Sequence, residues 1–133
     1  SPGQLVIYPI IKLEHKDLHK YLRDLEEVII RALGYMGLAA TRNEGKTGVW
    51  VPTAAGRNVP MKKIAAIGVA VRQWVTYHGA ALNVENDLSL FQGIVPCGLA
   101  DCEVTSVKEE LKQNSPRLSE VKKAIEQAWG EIF

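Results

Sequence analysis

Three short stretches carry residue types suited to nucleophilic chemistry: the pair Lys62 and Lys63, the pair His78 and Gly79, and Cys97 within VPCGL. Pro96 fixes the backbone before the thiol and Gly98 permits a positive φ after it, so the thiol can stand at a bend with backbone N–H groups beside it. A nucleophile with an oxyanion site needs that arrangement. A free cysteine is more often a small buried hydrophobe, and the residues alone leave both readings open. The lysine pair heads the uncharged run from Ile64 to Val71. Most lysines are solvated. Whichever of these two faces inward loses water, however, and its pKa falls. Cys97 and Cys102 stand five apart without a second Cys or His pair, which is not a zinc site. A disulfide between them needs an oxidising compartment, and a reduced interior is the reading adopted. His15 and His19 lack any metal partner in the pattern and receive no role.

The elements that must position these groups follow from periodicity. Ile64 to Val71 is apolar on both faces and rich in β-branched residues, which predicts a central strand. Val75 to Val84 is a second strand, with the turn near Gln73 and Trp74. Antiparallel pairing then sets Lys63 opposite Asn83 or Val84, and Gly68 opposite His78 or Gly79. Two facing glycines leave a slot without side chains, open to a ligand chain; a bulge or a tight packing contact is the commoner use of a strand glycine. Leu5 to Ile11 reads as an apolar strand with nothing before it to pair with. From Asp17 to Leu33, the apolar residues Leu18, Tyr21, Leu22, Leu25, Val28, Ile29 and Leu33 recur at helical spacing. Asp17 is placed to cap this helix and Gly34 or Gly37 to end it, while Lys20, Arg23, Asp24, Glu27 and Arg31 form its wet face. Gly45 and Gly48 bracket a turn before a short strand, Val49 to Val51, in which Trp50 is read as core packing, with a pocket wall as the alternative. Ser106 and Glu109 predict a capping box, and Ser119 predicts the cap of a last helix through Val121, Ala124, Ile125, Ala128 and Trp129.

Strands dominate the first two thirds and helices the last third. The expected class is α/β of the α+β type, a mixed, mainly antiparallel sheet with helices packed on it. At 133 residues and 47% hydrophobic, the chain suits one domain with one core. A net charge of +1, with both signs interleaved, excludes a nucleic-acid footprint. No stretch reaches the roughly 18 uninterrupted apolar residues of a membrane span.

KKIAAIG, TYHGAALNV, IVPCGL and VTSVKEEL, in that order and spacing, resemble the octanoyltransferase family, also called lipoyl(octanoyl) transferases or lipoate-protein ligase B. The resemblance runs from Pro2 to Phe133 and implies the biotin and lipoate protein ligase type of fold. It names Cys97 as the nucleophile that carries the acyl group and Lys63 as the catalytic lysine, leaving Lys62 to solvent. Ala65, Ala66, Gly68, His78, Gly79, Ala81 and Gly98 are the substrate-binding positions it implies, and Arg42, Thr47, Gly48, Val49 and Trp50 match a further stretch. The implied reaction moves an octanoyl group from an acyl carrier protein thioester to a lysine of a lipoyl-accepting domain, with no cofactor, metal or nucleotide. Implied acceptors are the lipoyl domains of 2-oxoacid dehydrogenase complexes and the glycine cleavage H protein, in the cytoplasm or, in a eukaryote, the mitochondrial matrix. Of the family's HGPGQ motif only Pro2, Gly3 and Gln4 match; Ser1 stands where the family has glycine. The expectation is therefore a chain without the family's N-terminal portion, with one pocket wall open. Rival readings are an ATP-dependent lipoate or biotin ligase, a non-catalytic docking domain for lipoyl-accepting proteins, and a cysteine hydrolase using His78.

Overall fold

The computed structural model describes residues 3–8, 18–56, 58–72, 75–85 and 103–133. In chain order the elements are β1 (Gln4–Ile7), α1 (Leu18–Tyr35), β2 (Val49–Pro52), β3 (Met61–Arg72), β4 (Val75–Asn83), β5 (Glu103–Val104), α2 (Val107–Leu111) and α3 (Leu118–Ile132). The strands form one sheet in the order β1-β4-β3-β2, all antiparallel, with β5 added in parallel to β3. This is the mixed, mainly antiparallel sheet with packed helices that the patterning predicts.

Helix α1 supplies one wall of the core. Tyr21, Leu25, Val28, Ile29, Ala32 and Leu33 are buried on one stripe, against Val49, Val51, Ile64, Ala65, Ala80, Leu82 and Val84 of the sheet region and Val121, Ile125 and Ala128 of α3. Each large aliphatic side chain so removed from water contributes roughly 1.5–3 kcal/mol before ordering costs are counted. Of the two predicted stops, Gly37 ends the helix. With φ at 87° it lets Leu38 N–H reach the Leu33 carbonyl at 2.9 Å and its own N–H reach the Gly34 carbonyl at 3.0 Å. The two bonds make a Schellman cap, and Leu38 joins Leu33 in the core. The predicted cap Asp17 lies outside the described residues.

Strands β3 and β4 form the predicted hairpin, in register from Ala65↔Leu82 to Arg72↔Val75. Gly68 lies opposite Gly79. The expectation that Lys63 faces Asn83 or Val84 is not met, because the ladder stops at Ala65↔Leu82. Beyond it the backbone of β4 turns toward Gly3, whose carbonyl accepts the N–H groups of Val84 at 3.2 Å and Glu85 at 2.9 Å. β5 takes the freed place, pairing Lys62 with Glu103 and Lys63 with Val104, and the Lys63 carbonyl accepts Thr105 N–H at 2.9 Å. The strand predicted from Leu5 is described over Gln4–Ile7, and its partner is β4.

Two predicted caps differ in detail. Ser106 caps α2 by accepting Glu109 N–H at 3.0 Å, but the Glu109 carboxylate bonds Lys112 Nζ at 3.0 Å instead of closing the box. α3 starts one residue ahead of the predicted cap Ser119. Its first turn is closed by Arg117 N–H donating to Glu120 Oε1 at 3.2 Å, so a carboxylate three residues on replaces the serine. Among the described residues no helix is long and apolar enough to cross a membrane.

Candidate active site

A break in strand register decides where Lys63 points. Val49 pairs with Ala65, but the next residue of β2, Trp50, pairs with Lys63, so β3 has one extra residue, Ile64, at this place. Strict alternation back from buried Ala65 would aim Lys63 into the helix-covered core. The extra residue rotates the strand instead, and Ile64 and Ala65 both end in the core. Lys63 emerges on the other face, half-buried, with Nζ 5.2 Å from the centroid of the Trp50 ring. Val49 and Val51 belong to the core cluster while Trp50, 2% exposed, does not. Trp50 is thus buried as expected, but against the lysine and not within the helix-side core. Among the described residues its indole N–H has no hydrogen-bond partner.

The electrostatics of Lys63 follow from this seat. Burial of the amine is the main cause that lowers its pKa from the ordinary lysine value, and the charge of Lys46 adds to it. Lys46 Nζ lies 5.5 Å from the same indole, so two amines share one ring. The turn that carries Lys46 continues to Gly48, whose φ of 108° only glycine adopts readily. A Cβ there would stand 2.8 Å from the Ala65 carbonyl oxygen and 3.0 Å from Lys63 Cε.

Next to the lysine, on the same face, lies a strip of very small residues. Ala66 pairs with Ala81 and Gly68 with Gly79, giving two successive rungs with at most a methyl group at each position. Ala66 and Gly68 are exposed and Ala81 and Gly79 are half-buried. Among the described residues a Cβ on Gly68 would meet nothing within 4 Å. The strip is therefore, among the described residues, an open, apolar trough of backbone and methyl groups that begins near an amine. Of the other predicted substrate positions, Ala65 is fully buried on the opposite face, and His78 is paired with Val69 one rung beyond the glycines. Cys97, Gly98 and Cys102 lie outside the described residues. A surface depression lined by Tyr35, Met36, Ser115 and Lys123 sits by the helices and includes none of these groups.

The patterning missed Glu26. Its side chain is fully buried, with Oε1 accepting Arg23 Nη1 at 2.8 Å and Arg42 Nε at 3.2 Å, and Oε2 accepting Gly48 N–H at 3.1 Å. Arg42 also donates to the Arg23 carbonyl at 2.9 Å and to Glu27 Oε1 at 3.2 Å. A signal was present: the helix neighbours of Glu26 at i−4, i+3, i+4 and i+7 are Leu22, Ile29, Ile30 and Leu33. A carboxylate set in an apolar ridge must be paired, because an unpaired buried charge is too costly to keep.

The model of the family described as lipoyl protein ligase A/B catalytic domain matches residues 1–130. The chain belongs to that family. Among curated relatives it is 47% identical to an octanoyltransferase of Nitratidesulfovibrio vulgaris (strain DP4), over 99% of this chain and 58% of that protein. It is 48% identical to an octanoyltransferase of Rickettsia peacockii (strain Rustic), over 100% of this chain and 63% of that protein, and 54% identical over 84% of its length to one from Thermobifida fusca (strain YX). The resemblance to octanoyltransferases is thus borne out, and the chain spans only about half to just under two thirds of these relatives.

Solved structures agree on the fold. Lipoate-protein ligase A bound with ATP superposes with a TM-score of 0.74 at 20% identity, over 98% of this chain and 52% of that one. A bipartite lipoate protein ligase of Thermoplasma acidophilum, described together with its E2 lipoyl domain, gives 0.72 at 20% identity, over 98% of this chain and 51% of that one. The lipoate ligase type of fold is as expected.

Proposed function

We propose that this chain carries the centre of an octanoyltransferase that works through a cysteine acyl-enzyme. The observation that carries the reading is Lys63: a half-buried amine, pushed toward its neutral form by burial, at the head of the Ala66–Gly68 trough. In the first half-reaction the Cys97 thiolate attacks the carbonyl carbon of an octanoyl thioester on an acyl carrier protein. The C–S bond to the carrier breaks, the carrier sulfur leaves as a thiol with the proton of the Lys63 ammonium, and one thioester replaces another. In the second, the ε-amine of an acceptor lysine attacks the Cys97 thioester; an amide forms, the thiolate is released, and the proton lost from the amine passes to neutral Lys63. As an ammonium the same residue stabilises the thiolate, and as an amine it accepts protons. Backbone N–H groups at Cys97, Gly98 and Gly79 are the oxyanion donors in this scheme. The eight-carbon chain lies along Ala66, Gly68, Gly79 and Ala81, with His78 and Ala65 lining or supporting the site. The acceptors are lipoyl domains of 2-oxoacid dehydrogenase complexes and the glycine cleavage H protein. The setting is the bacterial cytoplasm or, in a eukaryote, the mitochondrial matrix.

The test is intact-mass spectrometry after incubation with octanoyl carrier in the absence of ATP. One octanoyl adduct is expected, removed by hydroxylamine, lost in Cys97→Ala and kept in Cys102→Ala. An adduct on Cys102, a requirement for ATP, or acceptor binding with no acyl-enzyme at all overturns the proposal in favour of another thiol, a ligase or a docking domain respectively.

A further inference from the structure

The buried carboxylate on α1 has no part in the scheme above, yet one hydrogen bond and one van der Waals contact separate it from Lys63. We propose that Glu26 is a positioning residue for Lys63, acting through the Gly48 turn: by accepting Gly48 N–H it holds that turn down on the lysine stem and on the edge of the Trp50 indole.

Three observations converge on this chain of contacts. Glu26 Oε2 takes Gly48 N–H at 3.1 Å, and its other oxygen is occupied by Arg23 at 2.8 Å and Arg42 at 3.2 Å, which fix the carboxylate in place. Gly48 is so close to the site that a Cβ would press on Lys63 Cε at 3.0 Å, on the Ala65 carbonyl at 2.8 Å and on Trp50 Nε1 at 3.5 Å. Just after the turn, Trp50 is anchored on its outer edge by a two-bond bridge to Thr41, at 2.8 and 2.9 Å, directly before Arg42. The residue that clamps Glu26 is therefore the chain neighbour of the residue that clamps Trp50. A turn held from both ends leaves the lysine stem little room, and a fixed stem fixes the amine. The arginines have a second consequence. A fully buried carboxylate is tolerable only with such partners, so breaking the network would also destabilise the fold. The experiment must separate these two roles.

The proposal rests on Lys63 being the proton acceptor of the reaction, and two independent readouts keep the two claims apart. Glu26→Asp preserves the charge and withdraws the carboxylate by one methylene, a shift that the long side chains of Arg23 and Arg42 can follow and the backbone N–H of Gly48 cannot. Gly48→Ala disturbs the same turn without touching the ion pairs. Each variant is folded-state checked by circular dichroism and melting temperature, then labelled with an amine-specific acylating reagent and peptide-mapped, with Lys62 as internal reference. Labelling is done above the ordinary lysine pKa, where the amine is neutral in either state and the ratio reads access alone. The Lys63/Lys62 labelling ratio is expected to rise about threefold or more in both variants. kcat for octanoyl transfer is expected to fall on the order of tenfold to a hundredfold with KM for the acceptor little changed, the scale of a displaced catalytic group. The double variant should lose no more than the worse single one, since both act on one turn. An unchanged labelling ratio in folded Glu26→Asp overturns the proposal, as does a loss of kcat that only follows the melting temperature. A raised ratio with wild-type kcat upholds the positioning of Lys63 by Glu26 and overturns instead the role given to Lys63. Should Glu26→Asp not fold, Glu26→Gln carries the same comparison, because it keeps the length but cannot satisfy both arginines and Gly48.

Discussion

The two faces of this sheet are built from the same strands and have opposite characters. On the helix-covered face, Leu82, Ala80, Ala65 and Ile64 are locked against Leu25, Val28, Ile29 and Leu33, with exposure of 2% or less throughout. On the other face the alternate residues next to Trp50 and Lys63 shrink to Ala66 and Gly68 of β3 and Gly79 and Ala81 of β4. Among the described residues one face is filled and the other is left open. The difference is what the proposed site requires, because an alanine-glycine strip on the core face would have left cavities beneath α1, whereas on the other face it can serve as the floor for an acyl chain. The single extra residue at Ile64 connects the two faces, since it moves Lys63 from the filled face to the open one.

The comparison breaks most sharply at Lys63. Lys63→Arg keeps a cation near Trp50 but removes a group that can act as a base, so octanoyl transfer should fall by about a hundredfold or more while the fold is retained. Lys62→Arg, whose strand neighbours are Val51 and Glu103, should stay within about twofold. Steady-state transfer rates measured beside melting curves check both. Equal losses from the two lysines would mean that the face assignment does not carry the chemistry.

A second pair of variants sharpens the contrast between filling and emptiness. Ile29→Ala removes a fully buried side chain from the helix-covered face and should cost about 2–5 kcal/mol in denaturant unfolding, with catalysis by the remaining folded protein preserved. Gly68→Val adds a side chain into the trough, where a Cβ meets nothing among the described residues, and should leave stability unchanged or slightly raised, since a strand glycine gives up roughly 0.5–1 kcal/mol. Transfer of octanoyl should nevertheless drop about tenfold or more, with shorter acyl chains affected less. If Gly68→Val transfers octanoyl normally, the trough is not the chain's bed.

The sequence makes some of this legible and hides the rest for physical reasons. Helix α1 and the β3–β4 hairpin follow from side-chain periodicity, and the facing pair Gly68↔Gly79 was one of two registers that the turn allowed. The ladder's early end could not be read, because it depends on Gly3 capturing Val84 and Glu85 from 81 and 82 residues away and on β5 inserting beside Lys62 and Lys63. The bulge at Ile64 was equally hidden: Ile and Ala fit either face, so alternation gives no warning. Glu26 was readable in principle from its four apolar helix neighbours, yet it is the pairing with Arg42 and Gly48 that gives it a place, and those partners lie far along the chain. The choice of Lys63 over Lys62 came from resemblance, and the residues alone named only the property, a desolvated amine.

The smallest effect expected is a pH dependence of stability, and its sign follows from the open face. Burial, and secondarily the charge of Lys46, holds the Lys63 pKa below the value of about 10.4 that the unfolded chain has. Between the two values the unfolded chain carries a proton that the folded protein has released, so stability rises with pH through that window. Below the folded-state pKa both states are protonated, and the penalty of seating a charged amine there is fully present. Wild type should therefore gain on Lys63→Met as pH is raised from neutrality toward about 10. The offset between the two at neutral pH also contains the lost contact with Trp50, so the sign is read from the slope and not from either melting temperature alone. Because Lys63 is only half-buried, the shift is reduced by solvent. Added salt screens the part due to Lys46 and leaves the part due to burial. With burial the larger cause, the slope should persist in high salt and be only partly reduced in Lys46→Met. Melting curves of the three proteins across that pH range check this, and parallel lines for wild type and Lys63→Met would show that the amine is seated no drier than in an unfolded chain.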